Sequence, residues 1–232
     1  LRQHDASLEA MFVIGAWLKA EGDTAIVKEH LANWLKQHDT ALEAMFVIGA
    51  WLKAEGDTAI VKEHLANWLK QHDTALEAMF VIGAWLEAEG DKTIVKEHLA
   101  NWLKQHDESL EASFVIGAWL KVKGNLNIIE KHLVKWLHTH AGNAKASYIF
   151  HPYLKLGGKP EAIEQSFIIW LDNNNLTLSS FYPIGLWLQK GGKLSVVRSY
   201  VAEYIDKFNG NVKADYLLNN WVDAGGEVPF LL

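Results

Sequence analysis

The chain has 232 residues, 50% of them apolar, with 22 Lys and Arg against 28 Asp and Glu, a net charge of -6, eleven Trp and no Cys. This is the composition of a packed protein, not a disordered one, and the missing Cys excludes disulfides, thiolate nucleophiles and Cys-type zinc sites. The acidic balance argues against a nucleic-acid partner, and the longest apolar run, Ala44 to Leu52, is nine residues, well short of the roughly 18 a membrane span requires. No membrane partner is expected, and with no signal-peptide pattern at the N-terminus a cytoplasmic place is expected.

Every Trp falls on one of two registers of period 34. The first holds Trp17, Trp51, Trp85, Trp119, Trp187 and Trp221, with Tyr153 in the missing place; the second holds Trp34, Trp68, Trp102, Trp136 and Trp170, continued by Tyr204. Residues 5 to 38 and 39 to 72 differ at two positions, and 73 to 106 departs from 39 to 72 at three, Lys53/Glu87, Thr58/Lys92 and Ala59/Thr93. Residues 1–124 are thus near-identical repeats and 125–232 diverged ones, together one repeat domain.

In chain order each unit predicts two helices, read here on the copy from 39 to 72. Asp39 or Thr40 caps a first helix over about Ala41 to Ala54, with Thr40 and Glu43 in capping-box spacing, and Gly56 ends it where a left-handed residue is tolerated. Asp57 caps a second helix over about Thr58 to Gln71, and Pro160 and Pro229 in its first turn in later copies agree with that boundary. The first helix is apolar all round, so neighbours are expected on more than one side. The second is amphipathic, with Ile60, Val61, His64, Leu65, Trp68 and Leu69 inward and Lys62, Glu63, Asn67 and Lys70 outward. Gly49, in mid-helix, returns as Gly15, Gly83, Gly117 and Gly185, which suggests that another helix approaches closely there. His151 and Asn219 break that series, predicting looser packing in those two copies.

One unit cannot bury two Trp and a nine-residue apolar run alone, so repeats must stack into a continuous core. The expected fold is all-α: an α-solenoid of about six and a half to seven antiparallel two-helix units. Leu1 and Leu232 both fall mid-unit, as expected of a segment of a longer array whose apolar ends permit end-to-end self-association.

The 34-residue two-helix unit with its Gly49, Gly56, Asp57 spacing resembles the tetratricopeptide repeat. It departs from that family at Val61 and Trp68, where small residues are usual, and at Asp73, where a Pro is usual. The resemblance implies a right-handed α-solenoid whose first helices line a concave groove for extended peptides or partner helices. Position by position, that groove holds Glu43, Phe46, Ala50 and Lys53, with Glu9, Phe12, Ala16, Lys19, Glu77, Phe80, Ala84, Glu87, Glu111 and Lys121 at the equivalent places.

No residue pattern points to catalysis. There is no Gly-x-Ser-x-Gly elbow, and the recurring carboxylates Glu43, Glu55, Asp57 and Glu63 fit caps and solvated faces. The His series, His30, His64, His98, His132 and His38, His72, His106, His140, places like residues one repeat apart, about 10 Å at usual helix spacing and too far to share a zinc. Structural roles, with His64 half-buried in the core stripe and His72 in the turn, are expected, and neither metal nor cofactor is.

Residues 1–140 carry 14 basic and 20 acidic side chains, against 8 and 8 in 141–232, so the first part would steer a basic partner. The expected function is therefore a non-catalytic module that recognises a protein or peptide, a basic one included. The alternatives are a structural spacer or head-to-tail rod, a consensus-designed scaffold and, by analogy with amplified repeat arms, the sensing part of a bacterial signal-transducing NTPase.

Overall fold

A computed structural model describes residues 7–174 and 176–228 and is all-helical, a helical repeat array in which like helices stack on like. Pro229, Leu1 and Leu232, with the readings that rest on them, lie outside the described residues. The chain divides into two compact units, Leu1–Gly124 and Asn125–Leu232. Unit 1 contains α1 (Ala10–Lys19), α2 (Thr24–His38), α3 (Ala44–Lys53), α4 (Thr58–His72), α5 (Ala78–Glu87), α6 (Lys92–His106) and α7 (Ala112–Lys121). Unit 2 contains α8 (Leu126–His140), a single 3-10 turn (Ala144–Ala146), α9 (Ser147–Lys155), α10 (Pro160–Asn173), α11 (Phe181–Gln189), α12 (Leu194–Lys207) and α13 (Val212–Asp223).

In unit 1 the first helices α1, α3, α5 and α7 form one layer and the second helices α2, α4 and α6 the other. The first-helix layer is the tighter of the two. Unit 2 repeats the plan with α9, α11 and α13 against α8, α10 and α12. The second helices start as expected: Asp57 sits at the N-cap with its carboxylate accepting from Ala59 N–H at 2.9 Å, which satisfies one of the four orphan donors of a helix start. Pro160 opens α10 at its first turn.

The first helices start three residues later than the capping-box reading placed them. Ala41 to Glu43 form a tight turn whose carbonyls accept from Ala44, Met45 and Phe46, and no side chain caps α3. The expected cap, Asp39, is engaged elsewhere, its carboxylate accepting from His64 Nδ1 at 2.9 Å and from Asn67 Nδ2 at 3.0 Å. It therefore ties the turn after α2 to the side of α4. Asp73 does the same for His98 and Asn101 at 2.9 and 3.0 Å.

Two aromatic clamps close the repeat from 39 to 72. Trp51, buried in α3, folds over the turn to α4 and donates its indole N–H to the Asp57 carbonyl at 2.9 Å. Trp68, buried in α4, donates to the Ala41 carbonyl at 2.9 Å and so holds the turn entering α3. Trp34, Trp85 and Trp102 repeat these bonds one period away, and in unit 2 Trp187, Trp221 and Tyr204 do the same. Tyr153, in the place of a Trp, reaches across the turn, accepting from Lys159 N–H and donating to Glu130 at 2.8 Å. Burial and that carboxylate together push its phenol far up.

The turn glycine has a role other than the expected one. Glu55 takes the left-handed conformation, φ +55°, as do Glu21, Glu89 and Lys123, while Gly56 lies under the Trp51 ring, where a Cβ would stand 2.2 Å from Cε2. In unit 2 the two tasks fall to adjacent glycines: Gly157 and Gly191 carry the positive φ and Gly158 and Gly192 face Tyr153 and Trp187.

Opposite outcomes are therefore expected at neighbouring positions. Glu55→Gly relieves the left-handed side chain and should raise stability by about 1 kcal/mol. Gly56→Ala forces the ring out and should lower stability by about 1–3 kcal/mol. Urea titrations of the two variants check this, and equal signs would contradict it.

Candidate functional site

Along α3, Ala44, Met45, Val47, Ile48, Trp51 and Leu52 are buried, while Phe46 is 60% exposed. Glu43, Phe46, Ala50 and Lys53 are spaced by three or four residues, so they share one face. The nine-residue apolar run is thus covered on all sides but one. The same exposure recurs at Phe12 (67%), Phe80 (58%) and Phe114 (60%), giving unit 1 an aromatic row at every repeat. Leu8, Leu42, Leu76 and Leu110 stand partly exposed four residues before each ring and widen the row by a turn.

Beside this row lies an open trough of about 1020 Å³. Lys19, Phe46, Ala50, Lys53 and Phe80 border it, and Gly15 and Gly49 form its floor. A Cβ built at Gly15, Gly49 or Gly83 meets nothing within 4 Å. The expected close helix approach at Gly49 is therefore absent: the missing side chain keeps a space open on the first-helix face. In unit 2, Gly185 does have neighbours, Asn220 and Tyr216, at 3.7 Å.

The other expected groove residues lie on the same layer outside that trough. Glu9, Phe12, Glu87 and Lys121 are exposed, and Glu43, Glu77 and Glu111 half-buried; Ala16 is exposed and Ala84 buried. Lys53 and Glu87 both border a smaller hollow of about 460 Å³, and Glu87, Lys121 and Lys123 border a third of about 380 Å³. The charge difference between Lys53 and Glu87 therefore sits on an accessible edge.

Sequence reasoning did not carry the aromatic row into the diverged repeats. Tyr148, Tyr182 and Tyr216 occupy the register of Phe46 in unit 2, and all three are exposed. Counting in steps of 34 from Phe46 would have found them. Unit 2 also has a hollow of about 390 Å³ bordered by His151, Lys155, Tyr182, Gln189, Lys190 and Tyr216. Burial, with Lys155 nearby, holds the His151 pKa below its ordinary value.

The histidine series have structural partners. Besides the His64 and His98 bonds to Asp39 and Asp73, His72 and His106 donate Nε2–H to the carbonyls of Thr40 and Thr74 at 2.8 Å and lie against Trp68 and Trp102. Among the described residues no group of three His, Asp or Glu is placed to hold a metal ion, and no helix is long and apolar enough to cross a membrane.

The arrangement offers shape, apolar area and edge charge. The chain matches no protein-family model, no curated protein and no solved structure. The open floor of the trough generates a prediction. Gly49→Ala should raise stability by about 1 kcal/mol, since a mid-helix Gly is unfavourable and nothing crowds the new methyl. A loss of stability in thermal unfolding would mean that a neighbour packs on Gly49.

Proposed function

We propose that the chain is a non-catalytic recognition arm that holds an extended peptide along the first-helix face of unit 1. The observation that carries this reading is the exposed phenylalanine returning in every repeat, Phe12, Phe46, Phe80 and Phe114, on helices whose other large apolar residues are mostly buried. A ring that only fills a stack has no reason to face water, and four in register are an aggregation liability unless a partner covers them. The rungs lie one helix spacing apart, about 10 Å. Three residues of extended or polyproline-type chain span about that distance, so the row takes apolar side chains from every third residue of its ligand.

The edges add direction. Glu9, Glu43, Glu77 and Glu111 flank the row at the start of each first helix, and Lys19, Lys53 and Lys121 stand at the ends, with Glu87 interrupting them. A peptide with basic residues on the Glu side complements this face, and the net charge of -6 in residues 1–140, from 14 basic and 20 acidic side chains, steers it inward. The likeness of the 34-residue two-helix unit to the tetratricopeptide repeat, where the first helices line the groove, points the same way.

Selection of a random peptide display library on the chain tests the reading, with a Phe12→Ser, Phe46→Ser, Phe80→Ser, Phe114→Ser variant as counter-target. Enriched peptides should carry apolar residues at intervals of three and bind the variant at least 100-fold more weakly, while its helical content stays unchanged. Binders that ignore the four substitutions would sink the proposal. Concentration-dependent growth in light scattering, with no enrichment, would move the reading to a self-stacking rod.

A further inference from the structure

Unit 2 keeps the aromatic row of the first-helix face but changes its charge. Lys145 and Lys213 stand in the register of Glu43, Lys155 in that of Lys53 and Glu87, Lys190 in that of Ala54, and His151 in that of Gly49. Where the trough of unit 1 is edged by both signs, Lys19 and Lys53 with Glu21 and Glu55, unit 2 has a smaller hollow, about 390 Å³, bordered by Lys155 and Lys190 and by no carboxylate. Lys155 and Lys190 are exposed on its rim, and neither forms an ion pair among the described residues.

The hollow is built as well as charged. The Tyr182 ring stands edge-on to His151 with 5.7 Å between centroids, forming one wall. Also on its border, Gln189 Nε2 donates to the Tyr216 hydroxyl at 2.8 Å and to Asn220 Oδ1 at 2.7 Å. Tyr216 is therefore held in place as an acceptor, and its own O–H proton is left to give to something else. The ammonium groups of Lys155 and Lys190 and this hydroxyl make a donor-rich rim, for which an acceptor-only group such as a carboxylate is the complement.

We infer that the hollow between α9, α11 and α13 binds an acidic peptide segment, with a carboxylate between Lys155, Lys190 and the Tyr216 hydroxyl and an adjacent apolar side chain against Tyr182. A peptide fits better than a nucleic acid, because residues 141–232 hold 8 basic and 8 acidic side chains and lack the surplus a phosphate backbone recruits. The inference stands on residues of unit 2 alone and survives or fails independently of the phenylalanine row of unit 1.

Fluorescence anisotropy of the full chain with a labelled peptide of alternating Glu and Phe tests it. The comparison probes are the same peptide with Lys for Glu, a uridine oligonucleotide and inorganic phosphate as a competitor. The acidic peptide should bind at least tenfold tighter than the Lys peptide, weaken as salt rises, and lose at least tenfold in affinity in Lys155→Glu, Lys190→Glu. Both positions are exposed, so the fold should be retained, which circular dichroism checks. Tyr216→Phe should lose a few-fold, and the four Phe→Ser substitutions of unit 1 should leave this binding within twofold. Equal affinity for parent and double variant would overturn the inference. So would tighter binding of the oligonucleotide, or displacement by inorganic phosphate at the concentration at which the peptide itself binds, the signature of a simple anion site.

Discussion

The indole N–H to backbone carbonyl bond is the interaction on which the rest of this structure depends. A two-helix repeat has two turns, and in each a carbonyl that already accepts from a backbone N–H, Asp57 from Ile60 and Ala41 from Ala44, also accepts from the indole of an adjoining helix, Trp51 and Trp68 respectively. A buried indole N–H left without an acceptor would cost about 1–3 kcal/mol, so the clamp satisfies the polar end of a large ring that fills the interior of the repeat. The same residue thus seals the core and sets the turn geometry, which explains why Trp, Tyr153 and Tyr204 are the ring types on these two registers: each presents a donor at the end of an apolar body. Trp170 departs from this plan, its indole nitrogen being buried without a partner.

The clamps have a consequence for the outer face. Because the rings of Trp51 and Trp68 fill the space between the two helix layers, the first helix needs no further large residue there, and Val47, Ile48 and Leu52 complete its packing. Phe46 is then surplus to the fold and stands in water, beside a Gly49 that leaves the surface hollow. The scaffold and the candidate site are separated residue by residue on one helix, a condition under which the edge positions can change without disturbing the core. Lys53 against Glu87, and the cations of unit 2, are changes of that kind.

Much of the fold was legible in the sequence. The period of 34, both helices of each unit, the Asp57 cap and the inward stripe of α4 follow from spacing and residue type. Three things did not follow, each for a physical reason. The run from Ala44 to Leu52 contains no polar residue to mark its uncovered stripe, so the exposure of Phe46 was invisible to hydropathy and entered only through the likeness to a known repeat. Glu55 carries no sign of its positive φ, so the left-handed role was given to the neighbouring glycine, which is there for a ring. Asp39 has the chemistry of a cap, and only the packing of α4 beside it reveals that His64 and Asn67 claim its carboxylate.

The central claim is that one set of aromatics is sealed as clamps while a second set, a few residues away on the same helices, is held in water. Hydroxyl-radical footprinting with mass spectrometry reads both sets in a single peptide, since Phe46 and Trp51 lie in one stretch of α3. The account predicts oxidation at Phe46, Phe80 and Phe114 and at Tyr148 and Tyr182 well above that at Trp51, Trp68, Trp85 and Trp102, although indole is intrinsically the more reactive ring. Strong oxidation of these tryptophans in the folded chain, with the phenylalanines protected, would contradict it.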